Sequence, residues 1–136
     1  MKSIISPIPV SVLKQELTED KFLRKTNALS NHIYMVDAHD SPNVLREIGR
    51  LRELTFRAAG GGTGKELDLD EFDEGPNAWK QLIVWNPEEE EIVSAYRFVL
   101  GKDARTDEHG YPHTATSELF ELSPQFIEEY WPRTIE

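Results

Sequence analysis

Apolar residues recur at helical spacing over one long stretch in the first half of the chain. Ser41 and Pro42 offer an N-cap and a first-turn proline for a helix that runs to about Ala58. The apolar positions in this helix are Val44, Ile48, Leu51 and Leu54. Glu53 and Arg57 stand four residues apart in the favourable order, which adds about 0.3–0.5 kcal/mol to a helix.

Three other stretches have the alternation and the side chains of β-strands. Residues 32–36 are rich in β-branched and aromatic side chains, and we expect them to form the first strand. Residues 81–85 and 91–100 are separated by Asn86, Pro87 and a run of glutamates. This pattern predicts an antiparallel hairpin with a solvated turn.

The order of elements predicts an α+β (mixed α/β) fold with a mainly antiparallel sheet and flanking helices. Residues 1–30 are expected to be an N-terminal arm with a short helix from about Ser11, and residues 31–136 the domain. Glycines end the long helix, and residues 60–78 are expected to form a long loop. Ser123 precedes a proline and is the expected start of a last helix.

Composition excludes several classes of function. The 136 residues suffice for one ordinary domain, and 25 acidic against 15 basic residues give a net charge of -10, which disfavours nucleic acid as a partner. Without cysteine the chain has no disulfide, thiolate nucleophile or zinc–thiolate site. No secretory signal or membrane-spanning run is visible, so we expect a cytoplasmic protein, with contact at a membrane surface left open.

Three apparent motifs lack required residues. The glycine run before Lys65 does not match a phosphate loop, because Ala59 replaces the first glycine and Glu66 follows the lysine. A calcium loop starting at Asp68 would have Phe72 at a ligand position.

His109 and His113 are four residues apart, but Gly110 and Pro112 prevent a helix between them. We therefore expect no metal, and both histidines are expected to be loop residues.

Charged residues occupy positions that an apolar core would disfavour. Arg52 and Phe56 share one helix face, and Arg97 lies on a strand in register with apolar neighbours at Val93, Ala95 and Val99. A guanidinium there needs an anion, and Asp70 and Asp73 are the nearest candidates in sequence. These four charged residues fit a structural ion-pair network and a functional site equally well.

An ordered set of short motifs resembles one family of enzymes. The motifs are LRELTF at 51–56, DEFD at 70–73, LIVW at 82–85, IVSAYR at 92–97 and SELF at 117–120. Together they resemble the GNAT-like N-acyltransferases, a superfamily with acyl-homoserine-lactone synthases, ornithine and glycine lipid N-acyltransferases and hemolysin-like proteins. The set is most similar to the amino-acid lipid branch, whose members acylate the α-amine of ornithine or glycine.

The resemblance implies roles for seven residues. It implies catalytic roles for Asp70, Asp73, Arg97 and Glu136. It implies substrate-binding roles for Arg52, Phe56 and Phe120. The co-substrate would be an acyl-carrier-protein or CoA thioester carrying a fatty acyl or 3-hydroxyacyl chain, with no other cofactor, and a carboxylate would be the natural base for the acceptor amine.

In that family the chain continues beyond the position of Glu136 into the donor-binding strands, and no CoA pyrophosphate motif is present here. The resemblance therefore implies the N-terminal, acceptor-side half of an N-acyltransferase. An alternative is an inactive truncated module that forms a homodimer through its open sheet edge and binds an amino-acid or lipid ligand. A third candidate is a synthase of acyl-homoserine lactones.

Overall fold

A four-stranded antiparallel sheet forms the centre of the computed structural model, which describes residues 1–136. The strands pair in chain order as β1 (Phe22–Lys25), β2 (His32–Val36), β3 (Lys80–Asn86) and β4 (Glu91–Phe98). The helices are α1 (Val10–Glu16), α2 (Pro42–Ala58), α3 (Ala115–Leu119) and α4 (Pro124–Glu129). The expected α+β fold with an antiparallel sheet and flanking helices is confirmed.

Residues 1–30 contribute to both the sheet and the core. Helix α1 confirms the short helix expected near Ser11, and its Leu13 lies with Leu17 in the main apolar core. Strand β1 pairs with β2, so the strand expected to be first is the second. The sequence did not predict this edge strand, because most of the side chains of residues 22–25 are exposed and their hydrophobic alternation is weak.

Helix α2 begins where predicted, but a residue from another element caps it. The Ser41 side chain accepts no bond from the helix amides. Instead, the carboxylate of Glu16 accepts from the backbone N–H of Asn43 at 3.1 Å and of Val44 at 2.8 Å. The carboxylate satisfies two free amides and opposes the positive end of the helix dipole, so α1 and α2 are tied together.

The predicted hairpin forms, with one irregularity in its register. Gln81 pairs with Arg97 and Ile83 with Ala95, but a shift after Val84 changes the alternation. Val93, expected on the face of Arg97, is 54% exposed, and Ile92 packs against the core in its place. An extra residue in one strand reverses which side chains face inward, as in a β-bulge.

The glycine run after α2 wraps around a buried carboxylate. Glu53 is fully buried and accepts from the Thr63 amide at 2.9 Å, the Thr63 hydroxyl at 2.7 Å, the Gly64 amide at 2.9 Å and Arg57 Nε at 2.6 Å. Burial alone would raise the pKa of Glu53, but the bonds from Thr63, Arg57 and Gly64 lower it to about 2. Gly62, at φ +92°, has no room for a Cβ beside Arg57. The backbone amides of Thr63 and Gly64 therefore bind an anion of the chain itself, the Glu53 carboxylate.

The last residues of the chain pair with the end of the hairpin. Val99 and Glu136 exchange two backbone hydrogen bonds, and the Gly101 amide donates to the Thr134 carbonyl at 2.8 Å. A second apolar cluster of Phe72, Trp79 and Val99 lies close to this junction. No helix in the structure is both long enough and apolar enough to cross a membrane.

Candidate functional site

Asp73 is a fully buried carboxylate that joins three parts of the fold. Its Oδ2 accepts from Arg52 Nη1 at 2.8 Å, from Arg97 Nη1 at 3.1 Å and from the Asp70 amide at 3.1 Å. Its Oδ1 accepts from Gln81 Nε2 at 2.9 Å. Two arginines and a buried amide thus compensate the cost of desolvating this charge, and the carboxylate links α2, the loop and the hairpin.

Asp70 lies at the edge of the same network and keeps one free oxygen. Its Oδ1 accepts from Arg97 Nη1 at 2.7 Å and from the Phe72 amide at 2.9 Å, whereas its Oδ2 has no protein donor. Burial would raise the pKa of Asp70, but the hydrogen bond and charge of Arg97, the Phe72 amide and the charge of Arg52 lower it. The side chain is 42% exposed, so an ionised carboxylate faces solvent.

Arg97 is held by aromatic rings as well as by carboxylates. Its guanidinium carbon lies 5.5 Å from the ring centres of both Phe72 and Trp79. The strand register sets Arg97 opposite Gln81, and both reach Asp73. Stacking and ion pairing together fix the guanidinium in one orientation.

A polar cavity of about 340 Å³ has Asp70 in its wall; we call it the Asp70 cavity. Its walls are Asp70, Glu71, Phe72, Glu74, Gly75, Pro76, Asn77, Trp79, Arg105 and His113. Carboxylates thus share the cavity with one guanidinium and one imidazole. Charges of both signs at the wall suit a ligand that itself carries an ammonium and a carboxylate.

A second concavity of about 340 Å³, the apolar groove, runs between α2 and β4. Its lining residues are Ile48, Leu51, Arg52, Thr55, Phe56, Ile92, Val93, Ser94 and Ala95. Phe56 is 50% exposed here. Arg52 lines this groove and also reaches Asp73, so the groove adjoins the ion-pair network.

Two residues implied by the resemblance lie outside this network. Glu136 accepts the Thr116 amide at 2.9 Å and so binds the start of α3. Phe120 follows α3, is 66% exposed and lines neither concavity. The structure therefore brings together Arg52, Asp70, Asp73 and Arg97, with Phe56 in the adjoining groove.

Sequence patterns missed several residues of the site. Gln81 is a polar residue at an inward-facing strand position, where an apolar residue is expected. This mismatch is a sequence signal that could have indicated a residue of the site. His113 and Arg105 come from an irregular loop with no periodicity to place them.

One His–Glu–Glu group has ligand atoms close together. Atoms of Glu71, His113 and Glu118 lie within 4.8 Å of one another, but Glu71 already binds His113 at 3.0 Å and lies 4.0 Å from Arg105. His109 is not part of the group. Internal pairing and a neighbouring guanidinium account for the group without a cation.

The fold agrees with the comparison to known families. Residues 51–130 match the acetyltransferase (GNAT) domain, and the chain belongs to this family. The predicted resemblance to GNAT-like N-acyltransferases is thus confirmed at the level of the family.

Two relatives match the whole chain. A protein of Phocaeicola vulgatus named glycine N(alpha)-acyltransferase is 56% identical over 136 residues, which are 42% of its own length. A protein of the same name from Bacteroides thetaiotaomicron is 57% identical over 136 residues, or 40% of its length. The chain spans about two fifths of the length of these relatives. No solved structure matches it.

Proposed function

We propose that this chain is the acceptor-side region of an N-acyltransferase that acylates the α-amine of glycine. The acyl group, a fatty acyl or 3-hydroxyacyl chain, would come from an acyl-carrier-protein or CoA thioester. The observation that carries the proposal is the Asp70 cavity, with charges of both signs next to the ion-pair network. The names of the two relatives support glycine as the acceptor.

Glycine fits within the cavity and matches it in charge. Its carboxylate would pair with Arg105, whose side chain is 61% exposed. Its amino group would lie near the free Oδ2 of Asp70. A guanidinium recognises a carboxylate through paired N–H donors, so the amino acid would be oriented before the thioester arrives.

In this proposal the residues of the network have different tasks. Asp73, Arg52 and Arg97 are positioning residues, because every oxygen of Asp73 already has protein donors. Asp70 contacts the amine through its free oxygen. Fixing the amine near the carbonyl carbon reduces the entropic cost of attack.

The apolar groove is the proposed place for the acyl chain. Leu51, Phe56 and Val93 provide apolar walls, and Arg52 lies where the groove meets the network. Burying each methylene of an acyl chain contributes about 0.8 kcal/mol. A long chain would therefore bind through the groove, with its thioester directed toward Asp70.

The test is an acylation assay on the protein that contains this chain. The amines are glycine, ornithine and homoserine, and the donors are acyl-carrier-protein and CoA thioesters of one chain length, with products measured by mass spectrometry. We expect N-acylglycine as the main product. Ornithine as the better acceptor, or N-acylhomoserine as the main product, would replace glycine as the substrate.

Absence of any amide product from a folded protein would favour the inactive module. That alternative has support in the open edge of β4, where Val93 is 54% and Tyr96 74% exposed. Sedimentation of the folded chain would then be expected to show a dimer.

A further inference from the structure

The acids for which the resemblance implies catalytic roles all accept hydrogen bonds from other groups of the protein. Asp73 accepts from Arg52, Arg97, Gln81 and the Asp70 amide, and Glu136 accepts from Thr116. Asp70 is paired with Arg97 at 2.7 Å, which makes it a weak base. An amine that attacks a thioester needs a proton acceptor, so another group in the cavity is required.

His113 is the one imidazole in the wall of the Asp70 cavity. Its Nε2 lies 3.0 Å from Glu71 Oε2, and its ring centre lies 5.4 Å from that of Phe72. Its Nδ1 has no protein partner. Glu71 accepting from Nε2–H selects the tautomer with a lone pair on Nδ1, and aromatic packing limits rotation of the ring.

We propose that His113 is the residue that takes the proton from the attacking amine, with Glu71 orienting and stabilising its imidazole. This inference rests on the proposed N-acyltransferase function. The pair parallels the carboxylate–histidine arrangement of hydrolases, where the carboxylate holds the ring and stabilises the imidazolium.

The proton and bond changes balance without another reactant. Glycine, deprotonated at its amino group, attacks the thioester carbonyl carbon through nitrogen, and Nδ1 of His113 receives one N–H proton. The C–S bond then breaks, and the imidazolium returns the proton to the departing thiolate. The products are an N-acylglycine and a thiol.

Acidic side chains share the region around the ring of His113. Glu71, Glu118, Asp70 and Glu74 are the acids facing the same region, and Arg105 is the opposing cation, 4.0 Å from Glu71. The imidazolium that forms during the step would therefore lie near opposite charges.

The test compares His113→Gln with His109→Gln in the active enzyme. His109 lies in the same loop, and its side chain is 81% exposed and contacts only Glu108. We expect H113Q to lower kcat by about 100-fold or more with little change in the KM for glycine, and H109Q to resemble the wild type. H113Q should also change the pH dependence of kcat, which H109Q should leave unaltered.

Two further variants separate a proton acceptor from a structural residue. Imidazole added to His113→Ala should restore activity in proportion to its concentration. Glu71→Gln keeps a hydrogen-bond acceptor but loses the charge that stabilises the imidazolium, so it should lower kcat with little change in the KM for glycine.

Wild-type kcat and pH profile in H113Q would overturn the inference while leaving the proposed function intact. Loss of activity with a chelator, restored by a divalent cation, would also overturn it and assign Glu71, His113 and Glu118 to metal binding. A wild-type enzyme that acylates no amine would instead overturn the proposed function.

Discussion

Arg97 on β4 and Asp73 in the loop after α2 are joined by a hydrogen bond of 3.1 Å, and Asp73 has no solvent exposure. The same carboxylate oxygen binds Arg52 at 2.8 Å. The relationship explains why charges occupy an apolar strand face. One member of the network, Asp70, lines the Asp70 cavity, and another, Arg52, lines the apolar groove.

Asp73→Asn should destabilise the fold by about 3–5 kcal/mol, because two partly buried guanidinium groups lose the charge between them. Chemical denaturation followed by tryptophan fluorescence measures the change. Asp68→Asn is the matched control, since the Asp68 side chain pairs only with Arg52, at 3.4 Å, and should cost less than Asp73→Asn. Equal stability of the two variants would contradict a central role for Asp73.

The partners of this network could be predicted in part from sequence. Arg97 on an apolar strand required an anion, and Asp70 and Asp73 both supply it. Which acid is buried could not be predicted, because this depends on Gln81, whose inward position follows from strand register. The bulge after Val84 was not predicted either. It moves the Val93 side chain away from the strand face on which we expected it.

Glu53 should make stability depend on pH in the acidic range. Its folded pKa of about 2 lies below the ordinary value of 4.5, so its contribution is fully present above pH 4.5 and lost as pH falls toward 2. Glu53→Gln should be less stable than the wild type at pH 7. The difference should shrink as pH falls through this window, as measured by denaturation at a series of pH values.

Glu121→Gln is the control for Glu53, since Glu121 is exposed and makes no hydrogen bond. Its stability difference from wild type should be small at every pH. A Glu53→Gln difference that stayed constant from pH 7 to 2 would contradict the lowered pKa.

Capping of α2 should depend on Glu16 and little on Ser41. Glu16→Ala removes the acceptor for the Asn43 and Val44 amides and should cost about 1–2 kcal/mol. Ser41→Ala removes no cap bond from the helix and should cost less. Thermal unfolding measures both, and the opposite order would restore Ser41 as the cap.

Gly101 should tolerate no side chain. A Cβ there would lie 1.9 Å from the Trp131 carbonyl oxygen, so Gly101→Ala must displace the backbone that pairs residues 134–136 with 99–101. We expect a loss of about 2 kcal/mol or more in the free energy of unfolding. Gly61→Ala, whose nearest neighbour is 3.5 Å away, is the control and should be nearly neutral.

Elements with strong local patterns were predicted well, whereas long-range contacts were not. The periodicity of α2 and the polar turn of the hairpin are local and agree with the structure. Strand β1 was missed because an exposed edge strand has little alternation. The His113–Glu71 pair joins residues 42 positions apart across two irregular loops, and only tertiary structure brings them together.

The proposed function requires that the Asp70 cavity bind the amino-acid acceptor. Titration of the 136-residue chain with glycine, followed by amide and indole NMR signals, measures this binding. We expect saturable shifts at Trp79, Arg105 and their neighbours in the cavity wall, weakened in Arg105→Gln. Shifts confined to other surfaces, or none while the enzyme acylates glycine, would contradict it.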